Sequence, residues 1–156
     1  MTPTRQASLA DLEIYSSKYY SSKCWETQVR VFKTKWFARF ARKERISDRR
    51  LGEAVRRAEQ GLIDADLGGG VIKQRIARPG AGRSGGYRAL IAYRRETKAV
   101  FLYGFAKSER DNVEDDELDT ARDIAKGWLE AGPKQIAQAL AQGIIEEVDY
   151  EDKEKR

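Results

Sequence analysis

Five cations stand close together in a glycine-rich stretch of this sequence, and their spacing is its clearest sign of chemistry. The stretch reads IKQRIARPGAGRSGGYR from residue 72 to residue 88, and its cations are Lys73, Arg75, Arg78, Arg83 and Arg88. Two apparent strands flank the glycines, and nearly every polar side chain on them is positive. A strand that needed only solubility would mix charges of both signs. The pattern therefore indicates a polyanionic ligand, and the commonest such ligand is a nucleic-acid backbone.

Charge is divided unevenly along the chain. Residues 28–110 hold 21 Lys and Arg against 8 Asp and Glu, whereas residues 111–156 hold 6 against 14. A basic body with an acidic end can bind nucleic acid on one face while the rest of its surface resists it. A charge run is more often a solvated helix face, and that interpretation fits the acidic end well and the basic stretch poorly.

The composition excludes several kinds of catalysis. The chain has no histidine, which removes Ser-His and Cys-His nucleophile pairs and histidine-ligated zinc. Cys24 is the single cysteine, so an internal disulfide and a thiolate metal cage are both excluded. No apolar run is long enough for a membrane span, and no secretory signal is visible. We expect a cytoplasmic protein that uses no metal or other cofactor and has no membrane partner.

Residues 80–85, GAGRSG, match the dinucleotide-binding pattern G-x-G-x-x-G. That motif needs a helix N-terminus directly after it to hold a pyrophosphate, whereas a strand pattern follows here, so we reject the match. Two interpretations remain. The residues form a flexible hairpin loop, or they form a substrate-binding loop in which the bare backbone lets flanking cations approach a phosphate. We favour the second, with contacts from Arg78, Gly82, Arg83 and Gly85.

Acidic residues gather after the last strand pattern, and they could in principle hold Mg²⁺ or form an acid/base pair. They are Glu109, Asp111, Glu114, Asp115 and Asp116. Their position at a predicted helix start already has a structural explanation, because the helix dipole favours anions there. We therefore interpret them as structural.

Periodicity predicts an α+β fold with the order β-α-α-β-β-β-α. A strand at 28–33 precedes two helices, which Thr34 and Ser47 should cap. Strands at 71–77, 87–95 and 99–106 follow, and a short turn makes the last two antiparallel. Asn112 should cap a helix that continues to about residue 131.

The predicted architecture is a small antiparallel sheet of about four strands with helices packed on one side. Residues 1–27 should form a flexible N-terminal extension, residues 28–132 the folded domain, and residues 133–156 a C-terminal helix with an acidic tail. Two apolar helical stripes should belong to the core. They contain Trp36, Phe37, Phe40 and Ala41 in the first helix, and Leu51, Val55, Ala58 and Leu62 in the second.

Alternation places Lys73, Arg75 and Arg88 on one face of paired strands, with Lys107 and Arg110 at the end of the next strand. Such a site suits RNA cleavage, because RNA carries its own nucleophile, the 2′-OH, beside each phosphate. Cations would neutralise the charge that grows on the phosphorane, and a lysine crowded by other cations loses its proton more easily and can serve as a base. The alternative is that these residues are simply exposed strand positions.

Three segments together resemble the RelE/HigB superfamily of toxins from bacterial type II toxin–antitoxin modules, closest to the HigB-like branch. They are the hairpin pattern G-x-G-[RK]-x-G-G-x-R at residues 80–88, the segment FAKSERDN at 105–112, and ELDTARDIAKGWL at 117–129. The resemblance covers about residues 28–132. It implies a RelE/ParE-like fold and a ribosome-dependent mRNA endonuclease that inhibits translation without a metal.

The resemblance also assigns roles. The family's basic strand residues fall on Lys73 and Arg75, its phosphate-binding arginine on Arg88, and its late-strand cation on Lys107, with Arg110 nearby. Some members add an arginine and a tyrosine beyond that lysine, whereas this chain has Ser108 and Glu114 there. The general acid and base are therefore left open. The implied partners are the ribosome, mRNA and a cognate antitoxin with a helix-turn-helix DNA-binding domain.

Two other functions compete with the nuclease. Related ParE-type toxins share the fold, lack the nuclease residues and bind DNA gyrase. A gyrase binder has no need for converging cations, which argues against this alternative. The third possibility is a toxin-like RNA-binding module without activity.

Overall fold

A computed structural model describes residues 29–78, 86–110 and 112–150 of the 156-residue chain. The described residues form six strands and four helices. In chain order they are β1 (Arg30–Thr34), α1 (Lys35–Glu44), α2 (Asp48–Glu59), β2 (Ala65–Gly68), β3 (Val71–Ile76), β4 (Tyr87–Arg94), β5 (Lys98–Ala106), α3 (Asp115–Glu130), α4 (Pro133–Ala141) and β6 (Ile145–Glu147).

The six strands form one sheet in the order β2-β3-β4-β5-β1-β6. β1 pairs with β5 in parallel, and every other neighbouring pair is antiparallel. The predicted α+β class is confirmed, and so are the three strands of its central meander. The sheet differs from the prediction by the two edge strands β2 and β6 and by the parallel pair, since the helical crossover from β1 was not interpreted as a parallel connection.

Helices cover both faces of the sheet, where the sequence predicted one. Successive strand residues point to opposite sides, and both sides of the central strands are buried. One core lies under α1 and α2, with Phe37, Leu51, Ile72, Ile76, Ala89 and Phe101 among its members. The other lies under α3 and α4, with Val71, Leu90, Val100, Ala125, Leu129 and Ile136.

Two of the three predicted helix caps are confirmed. The Thr34 hydroxyl accepts a hydrogen bond from the Phe37 amide at 3.2 Å, and the Ser47 hydroxyl accepts one from the Arg50 amide at 3.3 Å. The prediction for Asn112 is wrong, because α3 begins two residues later behind Glu114. There the Glu114 amide donates to the Glu117 carboxylate at 2.9 Å, as in a capping box.

Two aromatic or aliphatic residues predicted to be buried lie at the surface instead. Trp36 is 70% exposed and Leu62 is 58% exposed. In α1 the core side is taken by Phe37, which is fully buried, with Phe40 packed partly against it. Gly104 makes this close approach to β5 possible, since a Cβ there would lie 2.5 Å from the Phe40 ring.

Helix length and hydropathy give no membrane-spanning candidate within residues 29–78, 86–110 and 112–150.

Candidate anion-binding site

Three of the predicted site cations lie together on the α3 side of the sheet. Arg75 in β3 and Arg88 in β4 are direct cross-strand partners, and Lys73 lies two residues before Arg75 on the same face. All three are half-buried. We call these three residues the cation face. Two guanidinium groups on directly opposite strand residues place positive charge at one spot on this face, where an anion could bind both.

The cation face borders the segment that leads into α3. The Lys73 ammonium donates to the Asn112 side-chain oxygen at 3.1 Å. Lys107 follows the last residue of β5, and its amide donates to the Gly86 carbonyl at 3.2 Å, which fixes its backbone beside the start of β4. The predicted late-strand cation is therefore at the same end of the sheet as Arg88.

Arg110 is close to this site, and its guanidinium is already engaged. It donates to both carboxylate oxygens of Glu117, at 2.5 and 3.3 Å, and to the Asn112 carbonyl at 3.0 Å. It also lies over the Phe105 ring, 5.4 Å from the centroid. The hydrogen bond from Arg110 lowers the pKa of Glu117, and the same bond raises the pKa of Arg110. Both groups therefore stay charged, and Arg110 is held in one place.

Arg78 lies on the other side of the sheet from the cation face. Its guanidinium carbon is 5.6 Å from the ring centroid of Tyr87, which belongs to the core under α1 and α2. The Tyr87 hydroxyl donates to Glu44 of α1 at 3.0 Å. Burial is the main cause that raises the pKa of Tyr87, the Glu44 carboxylate adds to it, and Arg78 opposes it. The structure thus does not bring Arg78 to the three strand cations.

Three further predicted contacts, Gly82, Arg83 and Gly85, lie outside the described residues.

Hydrogen bonds to α2 and to the segment that follows it fix the strand that carries Lys73 and Arg75. Arg57 donates to the Arg75 carbonyl at 2.5 Å. Gln74 lies between the two cations in sequence, and its side chain is fully buried. Its amide nitrogen donates to the carbonyls of Ala54 and Leu62 at 2.9 and 3.0 Å, and its oxygen accepts from the Asp64 amide at 3.0 Å. These contacts hold β3 on the face of the sheet opposite its cations, so the cations keep their spacing. Neither Arg57 nor Gln74 was predicted as a site residue.

An apolar groove of about 520 Å³ adjoins the site, between α1 and α3. Its lining includes Trp36, Leu102, Tyr103 and Ile124. The floor is the end of β5, because β1 pairs with β5 only as far as Phe101 before the chain turns into α1. Tyr103 lies where the groove meets Arg110.

Tyr103, Phe105 and Glu117 were not predicted as site residues either. The first two could have been found from the sequence, because residues 103 and 105 alternate along β5, which ends just before Lys107. Glu117 was hidden among acidic residues that helix capping already explained. Its second contact, with Arg110, requires the three-dimensional arrangement.

A mixed sheet with helices on both faces, and with cations paired across adjacent strands, defines a small α+β protein whose sheet carries a candidate anion-binding face. The chain matches the family model described as RelE toxin of the RelE/RelB toxin-antitoxin system over residues 29–148. It therefore belongs to the RelE toxin family. The match confirms the predicted toxin family and implies a cognate antitoxin as partner. No curated protein matches the chain significantly.

Proposed function

We propose that this RelE-family toxin is a ribosome-dependent mRNA endonuclease. The observation that carries the proposal is the direct pairing of Arg75 with Arg88, next to Lys73, on a half-buried sheet face. A phosphodiester placed between the two guanidinium groups could accept hydrogen bonds from both. It would be bound most strongly when it carries extra negative charge, as in a phosphorane.

The reaction that suits such a site is transfer within the RNA itself. The 2′-oxygen loses its proton and forms a bond to the adjacent phosphorus, and the bond from phosphorus to the 5′-oxygen breaks. The leaving 5′-oxygen gains a proton, so the products are a 2′,3′-cyclic phosphate and a 5′-hydroxyl. Arg75 and Arg88 would neutralise the phosphorane, with Lys73 and Lys107 beside them. This scheme requires no metal or other cofactor.

The proposed substrate is mRNA in the translating ribosome, in the cytoplasm, and cleavage there would inhibit translation. We also propose that the cognate antitoxin carries a helix-turn-helix DNA-binding domain and blocks the cation face. Both proposals rest on the resemblance of residues 80–88 and 105–112 to the HigB-like branch and on membership of the RelE family.

The test is the Arg88→Ala variant in a reconstituted translation system, with the mRNA 5′ ends mapped and their chemistry determined. Wild-type protein should cut within the translated frame and leave 5′-hydroxyl ends. Loss of one phosphate contact in the transition state should lower the cleavage rate by about 100-fold or more. Arg88 donates only to the Tyr87 carbonyl among the contacts described, so the variant should keep its fold.

Arg95→Ala is the matched control, since Arg95 is an exposed cation in the turn just beyond the opposite end of β4 from Arg88. It should cleave like wild type. Translation arrest with intact mRNA would refute the nuclease and point to a protein target, as for the gyrase-binding toxins. Ends that carry a 5′-phosphate would refute attack by the 2′-oxygen.

A further inference from the structure

Tyr103 stands beside the cation face as an exposed aromatic ring. In the register of β4 and β5, Leu90 lies opposite Tyr103 and Arg88 lies opposite Phe105. Cross-strand partners project to the same side of a sheet, so Tyr103 shares the α3 side with Lys73, Arg75 and Arg88. Phe105 is buried, whereas Tyr103 is 40% exposed.

The ring of Tyr103 is held by its neighbours. Its centroid lies 6.1 Å from that of Phe105, and its hydroxyl is 3.5 Å from a guanidinium nitrogen of Arg110. Arg110 is itself fixed by Glu117 at 2.5 Å. The position of the ring is therefore set before any ligand arrives, which reduces the entropy lost on binding.

The distance from the cations matches a nucleotide. Arg88 and Tyr103 are diagonal neighbours on adjacent strands, a relation that separates the two residues by about 7–8 Å. A phosphate at Arg88 would place an attached base within reach of Tyr103. Single-stranded RNA is recognised by stacking unpaired bases on aromatic side chains beside a cationic backbone track.

We propose that Tyr103 is a stacking platform for a nucleobase next to the phosphate held by the cation face. This inference rests on the proposed nuclease function and adds a contact that selects an unstacked base. It makes Tyr103 a substrate-binding residue.

The experiment compares Tyr103→Phe and Tyr103→Leu in the same reconstituted translation system, with cut positions and rates read from mapped mRNA ends. Phenylalanine keeps the aromatic ring and should cleave at the wild-type positions within about twofold. Leucine keeps apolar bulk but cannot stack, so cleavage should fall on the order of tenfold and its distribution over bases should change. Thermal unfolding checks that both variants fold.

Trp36→Leu is the matched control, because Trp36 lines the same groove from α1 and is 70% exposed. It should cleave like wild type. Equal losses in the Trp36 and Tyr103 leucine variants would overturn the inference by assigning the effect to the groove as a whole. A loss in Tyr103→Phe as large as in Tyr103→Leu would overturn it as well, since the hydroxyl rather than the ring would then matter. Wild-type protein that fails to cut mRNA would refute the proposed function itself, and normal cleavage by Tyr103→Leu would refute only the stacking role.

Discussion

Tyr93 connects β4 to α2 through a hydroxyl that should remain protonated in alkaline solution. The hydroxyl donates to the Glu59 carboxylate at 2.5 Å, and the same carboxylate accepts from the Glu96 amide at 3.0 Å. Burial is the largest cause that raises the pKa of Tyr93, and the hydrogen bond and charge of Glu59 raise it further. The Glu59 side chain thus joins α2 to β4 and to the β4–β5 turn.

This raised pKa predicts how stability depends on pH. Tyrosine in the unfolded chain loses its proton near pH 10, while the folded protein still holds it. The stabilisation is therefore fully present below pH 10 and is lost as the pH rises through the higher folded pKa. Tyr93→Phe should be less stable by about 1 kcal/mol at pH 8, and the difference should shrink above pH 10. Urea unfolding of both proteins at pH 8 and pH 10.5 measures this, and a constant difference would contradict it.

At the scale of elements, the buried Gln74 amide joins β3 to α2 and to the segment that follows α2. Gln74→Leu would fill nearly the same volume and leave two carbonyls and one amide without their partner. We expect a loss of about 2–4 kcal/mol in the free energy of unfolding. Leu62, which is exposed, supplies the control, because Leu62→Ala should change stability by less than about 1 kcal/mol. Chemical denaturation measures both losses, and similar losses in the two variants would contradict the stabilising role of the Gln74 hydrogen bonds.

How far the sequence could predict these elements depends on the range of the interactions that form them. Strands β3, β4 and β5 were found because apolar and polar residues alternate and a short turn joins β4 to β5. β2 is not predicted, since its sequence DADLGGG resembles a turn and only the pairing with Val71 to Lys73 makes it a strand. β6 is only three residues long and exists because it pairs with β1.

In the candidate site too, local features could be predicted from the sequence, whereas features that depend on distant contacts could not. Alternation within each strand correctly placed Lys73, Arg75 and Arg88 on one face, which is local information. The separation of Arg78 from them depends on the cation–ring contact with Tyr87, and the engagement of Arg110 depends on where α3 begins. Neither can be read from spacing along the chain.

For the whole molecule, the last described strand connects the C-terminal part to the start of the fold. Arg30 in β1 makes a bidentate ion pair with Glu147, at 3.0 and 3.1 Å, and the Val148 amide donates to the Val31 carbonyl at 2.8 Å. Val148 is buried under α1 and α2, and Ile145 under α3 and α4. Residues 145–148 therefore contribute to both cores, and they lie within the region that matches the RelE family.

The Arg75–Arg88 pairing has a consequence for how the protein responds to salt. Added ions screen the interaction between the two guanidinium groups, so the melting temperature of the wild type should rise relative to that of Arg88→Ala as NaCl increases from 20 to 300 mM. The same ions compete for phosphates, so the proposed binding to the ribosome should weaken over that range, and less steeply in Arg88→Ala. Calorimetry and ribosome co-sedimentation measure the two effects, and a wild-type melting temperature that falls relative to that of the variant would contradict the first. The salt concentrations that favour this folded sheet face are therefore expected to be those at which it binds its target least.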